Sequence, residues 1–179
     1  MSLVHDLGYE FRSANRAQRG LQALASSRPG AWFFARTAPA LDRAVERLSR
    51  GRTSLSMLVA GLPALLVTTT GRKSGQQRTT HLIAIPVGDA LAIIGSNFGQ
   101  PATPAWVLNL EADPQAVATY RDRSAAVTAR PATEREFDEV LRTAAPLYGG
   151  YDKYRERIGD RRRLRIFVLE PNPDAAAIR

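Results

Sequence analysis

The sequence predicts an α+β fold with a mostly antiparallel sheet, and three observations carry this prediction. Apolar residues recur at helical spacing through roughly the first fifty positions, several β-type segments then follow in hairpin order, and the last third mixes helices with strands. Strands that follow directly on one another pair antiparallel, and strict strand–helix–strand alternation is missing. A doubly wound parallel sheet is therefore not expected.

Two helices are predicted before the sheet. The first runs from about residue 4 to residue 25 and ends before Pro29 and Gly30, which break helices. The second runs from about residue 39 to residue 50, where apolar residues share one face, and Gly51 stops it.

The middle of the chain is predicted to form three strands and then a short helix. The segments "ALLVTTT", residues 64–70, and "RTTHLIAIPV", residues 78–87, flank a glycine-containing loop, and "ALAIIGS", residues 90–96, follows a Gly-Asp turn. The helix "AWVLNLEA", residues 105–112, is ended by Asp113 and Pro114.

A second hairpin, a helix and a final strand are predicted in the last third. The strands "AVATYR", residues 116–121, and "AAVTARP", residues 125–131, flank the turn "DRS". Thr133 and Glu136 match a capping box that opens a helix to about residue 147. The last strand is "RLRIFVLEP", which gives five or six strands in all.

The composition favours an anionic ligand, nucleic acid or an acidic membrane surface as a partner. The formal net charge is +8, the pI is about 10.7, and only two of the 25 basic residues are lysines. A coding bias toward arginine explains the same numbers equally well. The chain has no cysteine, which excludes disulfides, thiolate nucleophiles and cysteine-type zinc sites.

The protein is expected to be cytoplasmic. Charged residues occupy the part of the N-terminus where a signal peptide would be apolar. The longest apolar run is about 14 residues and contains Pro63, whereas a membrane-spanning helix needs roughly 20 apolar residues.

The stretch "TTTGRKSGQQRTTH" carries more positive charge than a tight turn requires. Gly71 and Gly75 suit a turn, but Arg72, Lys73 and Arg78 have no such role. A Walker phosphate loop is excluded because its lysine follows a different glycine spacing and leads into a helix. Two interpretations remain, a phosphate- or carboxylate-binding loop and a solvated hairpin tip.

Two aromatic segments are candidates for a ligand site. In "SNFGQPATPAWVLN", Trp106 either walls an aromatic ligand or anchors the short helix in the core, and Asn109 caps or bridges backbone groups. In "YGGYDKY", Tyr148, Tyr151 and Tyr154 recur every three residues, either as hydrogen-bond donors or as packing. His5 and His81 have no acidic partner in a sequence pattern that would mark a catalytic triad or a metal site, and no metal site is predicted.

Together these segments resemble the deazaflavin-dependent nitroreductases, the quinone-reductase-like branch of the enzymes that use coenzyme F420. The resemblance rests on "LLVTTTGRKSGQQRTTHL", "GSNFGQPATPAWVLNLEADP", "YGGYDKY" and "RIFVLEP", in this order. It implies a split β-barrel like that of FMN-binding reductases. The length of 179 residues predicts a single domain over residues 1–179. Its expected parts are an N-terminal helical segment, 1–52, a barrel core, 60–171, and a tail, 172–179.

The resemblance also implies roles for individual residues. Tyr151, Tyr154 and Ser96 are implied as the catalytic groups, with Tyr151 as the first choice of proton donor. The implied coenzyme-binding residues are Arg72, Lys73, Ser74, Gly75, Arg78, Thr79, Ser96, Gly99 and Trp106. The implied walls of the substrate pocket are Phe98, Trp106, Tyr148, Tyr151 and Tyr154.

The expected activity is hydride transfer from reduced F420 to a quinone, an activated alkene or a nitroaromatic. The coenzyme hairpin is intact, but the substrate side departs from the family pattern at His81, Asn97–Phe98, Thr103 and Val107, so nitroimidazole activation is not carried over. Two alternatives keep the same fold: a reductase that uses FMN, and a protein that binds F420 or a hydrophobic ligand without turnover. Nucleic-acid binding is not expected because no recognition motif is present. Arg12, Arg16 and Arg19 suggest a peripheral membrane contact through the N-terminal helices.

Overall fold

A computed structural model describes residues 2–11, 64–95, 102–144 and 164–172 of the 179-residue chain. Contacts divide the chain into two compact units, one of residues 1–10 and 65–179 and one of residues 11–64. The predicted helix over residues 39–50 lies outside the described residues, and the single-domain organisation stays a prediction. The described elements are α1 (Leu3–Leu7), β1 (Ala64–Thr70), β2 (Gln77–Val87), β3 (Ala90–Ile94), α2 (Ala105–Ala112), β4 (Gln115–Tyr120), β5 (Arg123–Pro131), α3 (Glu134–Ala144) and β6 (Ile166–Pro171).

The six strands form a closed barrel in the order β1-β2-β3-β6-β5-β4. Strand β4 pairs antiparallel with β1, with Thr68 opposite Val117, and this pairing closes the barrel. Strand β6, the last in the sequence, lies between β3 and β5, with Val168 opposite both Ala92 and Arg130. The predicted α+β fold with an antiparallel sheet is confirmed.

The barrel interior holds the apolar side chains that alternate along the strands. In β1, Leu65 and Val67 are fully buried while their neighbours are half-buried, because successive side chains of a strand point to opposite faces. The other fully buried large side chains of the strands are Ile85, Leu91, Ile93, Val127, Val168 and Leu169. Val168 and Leu169 are adjacent and so point to opposite faces of β6, which is buried on both faces.

No helix in the described ranges has the length and apolarity to cross a membrane.

The N-terminal helix is much shorter than its predicted extent. α1 ends at Leu7 because Gly8 adopts a left-handed conformation, with φ of 60°, and its N–H bonds to the His5 carbonyl. α1 packs against β3, β5 and β6, with Leu3 and Leu7 buried. The prediction of one helix from residue 4 to residue 25 is therefore confirmed for residues 4–7 and wrong for residues 8–11, and the rest of it lies outside the described residues.

The second hairpin turns one residue earlier than predicted. The turn consists of Arg121 and Asp122, and Arg121 has φ of 55°, as two-residue hairpin turns require. Tyr120 pairs with Arg123 across it. The predicted three-residue turn is wrong because Arg123 and the residue after it pair with β4 and extend β5.

Helix α3 begins at the predicted capping box. Thr133 Oγ1 accepts from the Glu136 amide at 3.3 Å, and Glu136 Oε2 accepts from the Thr133 amide at 2.8 Å. The Glu136 carboxylate also binds Arg130 of β5 at 2.7 and 2.8 Å, and Arg130 Nε binds Glu170 of β6 at 2.8 Å. Arg130 thus joins two strands to the start of α3.

Candidate functional site

A groove of about 560 Å³ lies between the β1–β2 loop and helix α2. The loop comes first in the chain, the opening residues of β2 form the adjoining wall, and the first turns of α2 form the opposite wall. The lining residues are Gly71, Arg72, Lys73, Ser74, Arg78, Thr79, Thr80, Ala105, Trp106, Leu108 and Asn109. Six of the nine residues predicted to bind the coenzyme are therefore found together.

The two glycines of the loop allow its tight conformation. Gly75 has φ of 67°, in the left-handed region that favours glycine. A Cβ on Gly71 would lie 2.8 Å from Ser74 Oγ and 3.1 Å from the Gln76 carbonyl oxygen. Both positions therefore need glycine, one for its backbone angle and the other for close packing.

Most backbone amides of the loop are bound within the protein. The Ser74 and Gly75 amides both donate to the Gly71 carbonyl, at 3.1 and 2.7 Å, and the Gly71 amide donates to the Gln76 carbonyl at 2.8 Å. The Gln76 amide donates to Ser74 Oγ at 3.3 Å. The groups that this loop offers to an anion are therefore mainly side chains rather than a nest of free amides.

The basic side chains of the groove are exposed and lack carboxylate partners in the described part of the chain. Arg72, Lys73 and Arg78 form no ion pair among the described residues, although Arg78 Nη2 donates to Gln76 Oε1 at 3.1 Å. Three neighbouring cations without local neutralisation create a positive potential that attracts anions.

A pair of buried polar side chains lies beneath the loop. Asn109 of α2 accepts the Arg72 amide at 3.2 Å through Oδ1 and donates to Thr69 Oγ1 at 3.0 Å through Nδ2. Thr69 was not predicted as a site residue. The sequence contains an indication of its role, because Thr69 follows Leu65 and Val67 at the inward-facing positions of β1, where a buried hydroxyl needs a hydrogen-bond partner.

Trp106 serves the core as well as the groove. Its side chain is only 7% exposed, and it contacts Phe167 of β6 edge to face, with ring centroids 6.2 Å apart. Trp106 therefore anchors α2 on the barrel and presents a small part of its surface to the groove.

The other predicted site residues differ in what the structure describes. Thr79 lies at the groove and its hydroxyl is 2.8 Å from the Thr68 hydroxyl. Gly75 belongs to the loop but does not line the groove. Ser96, Phe98, Gly99, Tyr148, Tyr151 and Tyr154 lie outside the described residues, as do Arg12, Arg16 and Arg19, so their roles stay predictions.

A larger cavity, of about 1030 Å³, lies near the C-terminal end of α2. It is bounded by α3, β5 and the approach to β6, and a 2.9 Å ion pair between Arg165 and Glu111 stands at its edge. None of the predicted site residues lines it. In the described ranges, no group of histidine, aspartate and glutamate side chains has the arrangement of a metal site.

The described residues form an antiparallel six-stranded barrel of the split-barrel type, with a basic groove beside the β1–β2 hairpin. The model of the F420H(2)-dependent quinone reductase family matches residues 41–171. The chain belongs to this family of oxidoreductases, which confirms the resemblance found in the sequence.

Individual relatives agree with the family assignment. A protein of Mycobacterium tuberculosis named F420H(2)-dependent quinone reductase is 36% identical over 98 residues, which is 55% of this chain and 65% of the relative. A protein of Mycobacterium bovis, named as a putative enzyme of the same kind, matches equally. The match thus spans slightly less than two thirds of these relatives.

Two solved structures are similar to this protein over nearly the whole length of their own chains. An F420-H2 dependent reductase, FDR-A, is 30% identical with a TM-score of 0.54, over 60% of this chain and 94% of that chain. A protein described as a domain-swapped dimer is 27% identical with a TM-score of 0.56, over 79% of this chain and 99% of that chain.

Proposed function

We propose that this protein is an F420H2-dependent oxidoreductase that transfers a hydride to a small electrophilic acceptor. The acceptor classes that fit the proposal are quinones, activated alkenes and nitroaromatics. When bound, the reduced deazaflavin supplies the hydride and two electrons, and this chemistry belongs to the coenzyme.

The observation that carries the proposal is the groove beside the β1–β2 loop. Its three cations, Arg72, Lys73 and Arg78, are exposed and have no carboxylate partner among the described residues. Coenzyme F420 has a phosphate and a glutamyl tail, so a row of cations beside an apolar wall fits both its anionic and its aromatic parts. Family membership supports the same ligand.

Each part of the groove has a proposed task. Arg72, Lys73 and Arg78 hold the anionic tail, with the hydroxyls of Ser74 and Thr79 as further donors. Trp106 and the neighbouring backbone form the apolar wall of the groove. Ser96 and the Gly99 loop complete the coenzyme site, while Phe98, Tyr148, Tyr151 and Tyr154 wall the acceptor pocket, in keeping with the sequence resemblance.

A binding titration tests the coenzyme assignment. We expect purified protein to bind F420 with an affinity that falls as salt rises, because exposed charge pairs are screened. Lys73→Ala should raise the dissociation constant roughly tenfold, the lower end of the range for a charge-assisted contact. Arg135→Ala is the matched control, because it removes one positive charge from an exposed position outside the groove.

The outcomes of this titration are distinct. Equal effects of Lys73→Ala and Arg135→Ala would mean that net charge, not the groove, attracts the coenzyme. Binding of FMN in place of F420 would keep the anion site but change the class of reductase. Binding of neither would remove the proposed function.

Turnover separates an enzyme from a carrier. With F420H2 and a soluble quinone, the protein should oxidise the coenzyme, which is followed by the absorbance of oxidised F420 at about 420 nm. Tyr151→Phe should slow this oxidation if the phenol donates a proton or a hydrogen bond. Unchanged turnover in that variant contradicts the role of Tyr151 alone. Tight coenzyme binding without turnover for any acceptor class would instead indicate a binding protein.

A further inference from the structure

Thr69 and Asn109 are the two polar residues buried in the described part of the chain, at 1% and 6% exposure. They come from different elements, Thr69 from the inner face of β1 and Asn109 from helix α2. They bind each other, and both lie beneath residues 71–78, the β1–β2 loop with the first two residues of β2, which are called the basic loop below. Buried polar groups destabilise a core unless they are paired, so a buried polar pair at this place in the fold needs an explanation.

The hydrogen bonds fix the orientation of the Asn109 amide. A backbone N–H can only donate, so the atom facing the Arg72 amide at 3.2 Å is Oδ1. Nδ2 then faces Thr69 Oγ1 at 3.0 Å and donates to it. The Thr69 hydroxyl directs its own hydrogen to the Arg78 carbonyl across a longer distance of 3.5 Å.

We propose that Asn109 and Thr69 are positioning residues that hold both ends of the basic loop in the geometry that binds the anionic ligand. One end is held through the Arg72 amide and the other through the Arg78 carbonyl. The two residues touch no ligand in this assignment; they set the backbone from which the Arg72 and Arg78 side chains project. The proposal rests on the proposed function, because it takes the groove to be the coenzyme site.

The arrangement explains how an exposed loop keeps a defined shape. Internal hydrogen bonds close the turn of the loop, but they do not fix it against α2, and its exposed cations repel one another. Asn109 ties the loop to α2, which Trp106 in turn anchors on the barrel. A loop held in its binding geometry loses less conformational entropy when a ligand binds.

Two substitutions remove the link in different ways. Asn109→Leu removes both hydrogen bonds and keeps the branched skeleton of the side chain, with two larger methyl groups in place of the amide oxygen and nitrogen. Thr69→Val removes only the hydroxyl at nearly the same shape. Thr69→Ser is the conservative variant, since it keeps the hydroxyl. Thr119→Val is the matched control, because it also removes a bonded strand hydroxyl, 2.8 Å from Ser124 Oγ, outside the groove.

The first readout needs no coenzyme. Amide hydrogen exchange, resolved by residue with NMR on the free protein, reports how firmly the Arg72 N–H is held. We expect Asn109→Leu to speed exchange at Arg72 roughly tenfold, in line with the loss of one hydrogen bond to a buried partner. Thr69→Val should speed it by less, and Thr69→Ser and Thr119→Val should leave it as in the unaltered protein.

The second readout is the dissociation constant of F420. Asn109→Leu should raise it about tenfold by loosening the loop, and Thr69→Val should raise it in the same direction. The exchange and binding effects should rank the variants in the same order.

The results decide the proposal as follows. Unchanged exchange at Arg72 in Asn109→Leu would overturn it, and so would faster exchange without any loss of F420 affinity. An effect of Thr69→Ser equal to that of Thr69→Val would overturn the role of the hydroxyl. If Asn109→Leu fails to fold, the Thr69 pair decides. If the unaltered protein does not bind F420, the proposed function fails, while the exchange data still test whether Asn109 holds the loop.

Discussion

Replacing Glu136 with glutamine should lower the free energy of unfolding in a way that depends on pH. Glu136 binds Arg130 through both carboxylate oxygens, at 2.7 and 2.8 Å, and accepts the Thr133 amide at 2.8 Å. Its side chain is 19% exposed and that of Arg130 is 37% exposed. Glutamine keeps one acceptor oxygen but loses the charge and the second contact to Arg130.

The size of the effect follows from the pKa of Glu136. The hydrogen bonds from Arg130, the largest cause, lower this pKa from 4.5 to about 2. A difference of that size corresponds to about 3.4 kcal/mol at 1.36 kcal/mol per pKa unit. Because Arg130 is more than a third exposed, solvent screens the pair, and we expect about 1.5 to 2 kcal/mol.

The sign with pH is fixed by the direction of the pKa shift. A carboxyl with a lower pKa in the folded state stabilises it fully above the unfolded value of about 4.5, and this stabilisation is lost as the pH falls toward 2. Roughly two fifths of it should remain at pH 3. The difference between the unaltered protein and Glu136→Gln should therefore be constant from pH 6 to 8 and shrink below pH 4.5.

Urea unfolding followed by tryptophan fluorescence at pH 7, 4 and 3 measures this difference. Glu134→Gln is the control, because Glu134 stands in the same helix turn and forms no ion pair within the described residues. A difference below about 0.5 kcal/mol at pH 7, the usual range for a neutral surface change, would refute the reasoning. A larger difference that does not change with pH would show that packing, not charge, is the cause.

Three further substitutions test the loop, the barrel and the N-terminal segment. Gly71→Ala should weaken F420 binding several-fold, because its Cβ would lie 2.8 Å from Ser74 Oγ and 3.1 Å from the backbone carbonyl oxygen of Gln76, which cannot rotate away; an unaltered dissociation constant in a titration would show that the loop yields freely. Gly95→Ala should lower stability by about 1 to 3 kcal/mol in urea unfolding, because its Cβ would lie 2.7 Å from a methyl of buried Val107; no change would mean that α2 moves aside. Tyr9→Phe should cost about 1 kcal/mol by removing the 2.8 Å bond to the Ala84 carbonyl. Burial also raises the pKa of Tyr9 above its usual value, so Tyr9 does not ionise with the exposed tyrosines near pH 10. Tyr9→Phe should therefore leave the rise in tyrosinate absorbance at 295 nm near pH 10 unchanged, and a smaller rise in the variant would contradict the raised pKa.

The barrel strands were predictable because their signals are local. The bounds of β1 and α2 agree with the sequence prediction, as does the capping box at Thr133. Alternating burial and a capping pair depend on residues a few positions apart. Two predictions failed where a residue adopts a left-handed backbone conformation. Gly8 ends α1 earlier than its apolar pattern predicts, and Arg121 places the second hairpin turn one residue earlier than predicted.

The sequence by itself determined the antiparallel α+β class, the basic loop and, through its motifs, the family. These follow from periodicity, glycine placement and residue order along the chain. Only the tertiary structure brought Trp106 and Asn109 of α2 beside Arg72 and Lys73 to form one groove. The physical reason is distance along the chain: Asn109 and Arg72 are 37 positions apart. Their hydrogen bond exists because barrel closure and the packing of Trp106 on Phe167 fix α2 against the loop.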